Sequence, residues 1–237
     1  MSSRNQHFLL DFLTNSDKIS IRTSLQEWGN EMKYDKELIA GKLRRWEKYM
    51  DEYRLPDWDD IPNFGLYMEQ VVVLLSEYLD YLPPELKKEQ FITAATINNY
   101  VRKEIMPEPI KKRYYRLHIA YLIIICTLKQ SLSIQTLQTV IPMGLSEKEL
   151  KSLYNNFAER QRATAIYFVD QVRLAAANIL DHETDPNNGI AAKDTSDLII
   201  ASAITSSFTK LLAEKLLLLN GKTVEDGGDI LVKSKKP

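Results

Sequence analysis

Apolar residues return every three or four positions through nearly the whole chain, a spacing that suits amphipathic helices. Between Ile21 and Tyr53 they recur as Leu25, Trp28 and Met32, then Leu38, Ile39, Leu43, Trp46 and Met50. Gly29 and Gly41 weaken that stretch, so it reads as two helices or one interrupted helix. Residues 66–82 repeat the pattern through Val71, Leu74, Leu75 and Tyr78, until Pro83-Pro84 stops it. Eight glycines and nine prolines are too few for the turns of an all-β fold. The class expected is all-α.

Further along, Thr93 is placed to cap a short helix over residues 93–103, its hydroxyl accepting from a free amide of the first turn. A proline-flanked connector, Met106-Pro-Glu-Pro-Ile-Lys-Lys-Arg-Tyr114, follows it. Residues 117–128 are a β-branched apolar run whose periodicity fits a buried helix or a strand; the lack of partner strands nearby selects helix. A short helix over 133–141 ends at Pro142 and Gly144. Ser146-Glu-Lys-Glu149 is a capping box, opening a helix expected to run to about Asp181. A last helix spans about 194–219, with Gly221 as its cap. Its apolar residues exceed what one helix hides alone, so it should pack on the preceding helix, on another chain, or on both.

Few chemistries fit these residues. The single cysteine, Cys126, excludes an intrachain disulfide, and a reducing, cytoplasmic setting suits it. No secretory signal follows Met1, and no uncharged apolar stretch approaches the ~18–20 residues of a membrane span. His7, His118 and His182 are too scattered in sequence to suggest a ligand set. Asp181, Glu183, Asp185 and Asn187 imitate the start of a calcium loop, but Pro186 occupies the turn-glycine place and Ala192 that of the bidentate acid. No metal, cofactor or catalytic group is expected. Trp28 and Trp46 read as core anchors or a partner surface, and Trp58, in an acidic linker, as a docking residue between domains.

Charge is unevenly spread although the net formal charge is −1. Nine acids face two bases between Glu47 and Asp80, and eight bases face three acids between Lys87 and Arg116. A basic segment attracts phosphates even in a neutral chain; it also serves as an ordinary solvated face. On a helical wheel Ala94, Ile97, Val101 and Ile105 share one side, with Ala95, Asn99, Arg102 and Lys103 broadly opposite, Thr96 beside them and Asn98 at the boundary. Such a front suits the major groove, where Asn pairs with adenine and Arg with guanine.

Thr93, Thr96, Ile97, Tyr100, Ile105 and Pro107 stand where the second helix of MerR-type winged helix-turn-helix regulators has its characteristic residues, and this segment resembles that helix. Lys112-Arg-Tyr114 is similar to the Arg-x-Tyr at the end of the family's wing. Tyr121-Leu-Ile-Ile-Ile and Leu128-Lys-Gln resemble the start of its following helices. Two places depart from the pattern. Glu104 stands where the family has a helix-ending glycine, and the connector is short and glycine-free, so a basic extended arm is expected in place of a hairpin wing. Leu55-Pro-Asp-Trp-Asp-Asp-Ile-Pro62, Leu66-Tyr-Met-Glu-Gln-Val71 and Ile97-Asn-Asn-Tyr-Val101 also resemble a bacterial family of unknown function with a MerR-like middle and extra helices on both sides.

The expected organisation is an N-terminal helical segment and acidic linker over 1–62, a MerR-like helix-turn-helix domain with a truncated wing over 63–142, a C-terminal helical bundle for dimerisation or sensing over 143–220, and a tail over 221–237. The resemblance implies a non-catalytic transcriptional regulator, a homodimer bound to double-stranded DNA and responsive to an effector the sequence does not name. Asn99 and Arg102 would approach base edges, Thr96 and Lys103 the backbone, and Lys111, Lys112 and Arg113 the phosphates. The rival expectation is a helical protein-interaction or small-ligand-binding module that does not touch DNA.

Overall fold

A computed structural model describes residues 33–81, 92–181, 189–223 and 225–226. Its described residues form eight α-helices, one 3-10 turn and two isolated antiparallel bridges, with no strand. The all-α expectation is met. No described helix is long and apolar enough to cross a membrane. Residues His7, Trp28, Lys87, Lys88 and His182 and the 183–187 loop lie outside the described residues.

The chain divides into two compact units, one of residues 1–46 and 172–202, the other of 47–171 and 203–237. In the smaller unit, helix α1 (Lys36–Glu52) begins at Asp35, whose carboxylate accepts from the Leu38 N–H at 2.8 Å. Its Ala40 packs with Ala176, Ile179 and Leu180 in a small apolar cluster.

The larger unit is organised around one helix. α4 (Arg116–Leu128) is buried at every residue from His118 to Cys126, which is why its sequence shows no polar face. α2 (Met68–Tyr78) and α3 (Ala94–Arg102) pack together and α2 packs on α4. Gln70 reaches back to the Tyr67 N–H at 2.9 Å to start α2. Ser133 caps α5 (Ile134–Val140), accepting from the Thr136 N–H at 3.1 Å. Trp58, in the 3-10 turn Trp58–Asp60, is buried beside Tyr154 with ring centroids 5.9 Å apart. It belongs to the core of this unit rather than to an inter-domain contact.

Two helices differ from expectation. The capping box forms, with Glu149 Oε2 accepting from the Ser146 N–H at 2.9 Å, and opens α6 (Glu147–Ala175). α6 stops at Ala175 instead of reaching Asp181, and a separate turn of helix, α7 (Ala177–Leu180), completes the run. The cause is a competing donor: the Ala192 N–H takes the Ala175 carbonyl at 2.8 Å, and Ile179 turns to Ala176 instead. α8 (Thr195–Leu217) is capped as expected near Gly221, which has φ +73°, but it has no buried residue and closes no bundle.

Candidate nucleic-acid interface

α3 is fixed at both ends before its outer face is considered. Thr93 Oγ1 accepts from the Thr96 N–H at 3.0 Å, so the expected cap is present. At the other end Glu104 takes φ +55°, the left-handed conformation that glycine adopts without strain. That turn drops Ile105 and Met106 into the core, where both are buried. Gln138 Nε2, from α5, donates to the Lys103 carbonyl at 2.7 Å and satisfies a group the helix end leaves open.

The inward side of α3 is centred on Ile97 and Tyr100, with Val101 half-buried. Ala94, which the wheel placed with Ile97, is exposed, because the large Tyr100 ring rotates the buried stripe toward its own side. Ala95, Asn98 and Arg102 are exposed as well, and Asn99 is half-buried. Asn98 is therefore the more accessible of the two amides, which the sequence reading had placed at a boundary. Arg102 donates to Asn99 Oδ1 at 2.8 Å. Thr96 is half-buried, its hydroxyl 2.9 Å from that of Thr93, so it faces its own cap.

The connector is not an extended arm. Ile110 and Arg113 exchange two backbone hydrogen bonds of 3.0 Å, and Lys111 and Lys112 between them have φ +49° and +63°. Two successive positive angles make a tight primed turn, a geometry that usually takes Asn-Gly. Just beyond it, Tyr114 and Leu66 exchange hydrogen bonds of 2.8 and 2.9 Å, tying the end of the connector to the start of α2. The result is a miniature hairpin tip carrying two lysines, both exposed and without an ion pair. Arg113 is different. Its guanidinium lies 3.4 Å from the centre of the Tyr67 ring and donates to the Tyr67 hydroxyl and, at 3.3 Å, to the Gly65 carbonyl. It braces the hairpin, a role the sequence reading had not assigned to it.

His118 holds the same connector from below. Its Nδ1 accepts from the Tyr115 N–H at 2.9 Å, so the hydrogen sits on Nε2, which donates to the Glu108 carbonyl at 2.9 Å. Burial lowers its pKa below 6.5, against the raising effect of those two backbone partners. The ring is a neutral bracket. Cys126 is likewise inert, its thiol pushed up to about 12 by burial.

A second candidate is an open cleft of about 700 Å³ lined by residues 54–60 and by Lys151, Tyr154 and Arg162 of α6. Its charged walls are occupied with one another and with backbone. Lys151 pairs with Asp59 at 3.0 Å, Arg162 donates to the Met50 and Asp51 carbonyls at 3.1 and 2.6 Å, and Tyr154 to the Pro56 carbonyl at 2.7 Å. Arg116 donates to the Ile61 carbonyl at 2.8 Å beside it. The arrangement clasps the acidic linker to the helices and aims no free polar group into the space. Among the described residues no group of His, Cys, Asp or Glu is placed to hold a metal.

The stretch that carries both candidates is the one that matches a known family. A DUF1836 domain, a domain of unknown function, is found at residues 56–157. It begins at the clasped linker, takes in α2 to α5 and ends within α6. No curated protein and no solved structure matches the chain.

Proposed function

We propose that the DUF1836 domain binds double-stranded DNA and that the protein is a non-catalytic transcriptional regulator. The observation that carries this reading is the outer face of α3: Ala95, Asn98, Asn99 and Arg102 form a low, polar front on a helix pinned at both ends. Small and amide side chains let a helix approach base edges closely, and Asn and Arg are the residues that read adenine and guanine. Lys111 and Lys112 supply two unpaired cations for phosphates, contacts that position a protein without specifying sequence. The resemblance of α3 and the residues after it to MerR-type regulators supports the same assignment, with the lysine-tipped turn as a truncated wing.

The rival is a helical interaction module with no DNA partner. The bracing of Arg113 on Tyr67 and the acid at Glu104 favour it. Titration of labelled duplexes drawn from a randomised library, at two salt concentrations, separates the readings. Binding whose affinity falls steeply with salt, with a slope reduced by about two in Lys111→Ala/Lys112→Ala, supports the regulator. No binding at low salt assigns the domain to the rival class.

A further inference from the structure

The outer surface of α8 is apolar where the helix meets solvent. Leu217 packs against the core of the larger unit and Ala213 beside it is half-buried, which fixes the inward side of the helix. On the opposite side lie Ile204, Phe208, Leu211, Leu212 and, in the turn that follows, Leu219, between 49% and 68% exposed. A helix so rich in apolar residues is normally covered. With Leu216 and Leu218 at the rim, the surface left open is on the order of 800 Å², above the largest patch typical of a monomer and close to one partner's share of a stable interface.

We propose that this face is where a second copy of the chain docks, with the two α8 helices antiparallel about a two-fold axis between Leu211 and Leu212. An isologous contact requires a face that complements itself. This one does so in the antiparallel sense. Leu211 meets the partner's Leu212 and Ile204 meets the partner's Leu219. Lys215, the one charge on the face, meets the partner's Phe208, where its stem packs and its ammonium lies over a ring. A parallel pairing would set Lys215 against its own copy. The other charges of this stretch, Lys210 and Glu214, pair with each other at 3.9 Å and need no partner chain. The proposal does not depend on DNA binding.

Sedimentation equilibrium of the full chain over a wide concentration range tests it. The expected result is a dimer whose dissociation constant rises about a hundredfold or more in Phe208→Glu, with unchanged helical circular dichroism because the side chain is exposed. Orientation is read from cysteine variants, since the native Cys126 is buried. A mixture of Ile204→Cys and Leu219→Cys chains should form a disulfide under mild oxidation, while Ile204→Cys alone should not. A monomer at every concentration, a dimer indifferent to Phe208→Glu, or self-crosslinking of Ile204→Cys would each overturn it. Hydrogen-exchange protection of α8 within a monomer would do the same, by giving the cover to another segment of the chain.

Discussion

Arg102 and Asn99 hold each other across one turn of α3, guanidinium to amide oxygen at 2.8 Å. An amide so engaged presents its N–H groups outward, and the arginine is steered along the helix surface instead of swinging freely. Arg102→Ala should then weaken binding to a preferred duplex by about 1–3 kcal/mol and relax discrimination at one base pair. Asn99→Ala should give a smaller change than the double variant minus Arg102→Ala, because the freed arginine is less ordered. Fluorescence anisotropy with all four proteins measures that coupling. Folding stability should stay within about 0.5 kcal/mol, since both act at the surface.

Glu104 is strained and also misplaced for an anion-binding surface. Its φ of +55° costs a residue with a Cβ about 1 kcal/mol relative to glycine. Glu104→Gly should raise stability by about that amount in urea titration and also tighten duplex binding by removing a negative charge. A loss of stability would mean that the carboxylate contributes more than the backbone strain costs.

At the hairpin tip the same backbone argument opposes the functional one. Lys111 and Lys112 occupy both left-handed positions of a turn that favours Asn-Gly. Replacing the pair with Asn-Gly should stabilise the fold by about 1 kcal/mol and at the same time flatten the salt dependence of DNA binding. The opposite signs separate the two roles of these residues in a single variant.

Much of this was legible from spacing and caps. Thr93, Ser133 and the Ser146/Glu149 box start helices where the sequence places them, because a cap depends on residues a few positions away. The left-handed turn at Glu104 was implied by the family's glycine at that place. What local pattern could not show was set by partners distant in sequence. Arg113 reads as a phosphate ligand until Tyr67 and Gly65, 46 and 48 positions earlier, are seen to hold it. The break at Ala176 depends on the Ala192 N–H, and the rotation of α3 on how the Tyr100 ring packs. Trp58 looked like a linker residue because the α6 residue that covers it, Tyr154, lies far downstream.

Gly65 is where two segments come too close for a side chain. A Cβ there would stand 2.9 Å from the Arg113 Cβ and 3.1 Å from the Tyr115 ring. Gly65→Ala should destabilise the larger unit by about 1–3 kcal/mol, as forced overpacking does, and should loosen the bracing of Arg113 on Tyr67. Thermal unfolding gives the first effect. The second should appear as faster exchange of the Tyr114 amide, which is bonded to Leu66 beside the clash.

His118 links pH to the same connector. Its folded pKa lies below the ordinary 6.5, so the unfolded chain takes up the proton first as pH falls. The stability its neutral ring provides is complete above about 6.5 and is lost as pH drops through the lowered folded value. Protonation also puts a hydrogen on Nδ1, which then cannot accept from the Tyr115 N–H, so α4 loses its start. His118→Gln keeps an acceptor at the third position of the helix, the usual place for Gln in a capping box, and cannot titrate. Urea unfolding between pH 7.5 and 5 should show the wild-type protein losing stability faster than His118→Gln on acidification. Parallel curves for the two proteins would show that other groups carry the acid response.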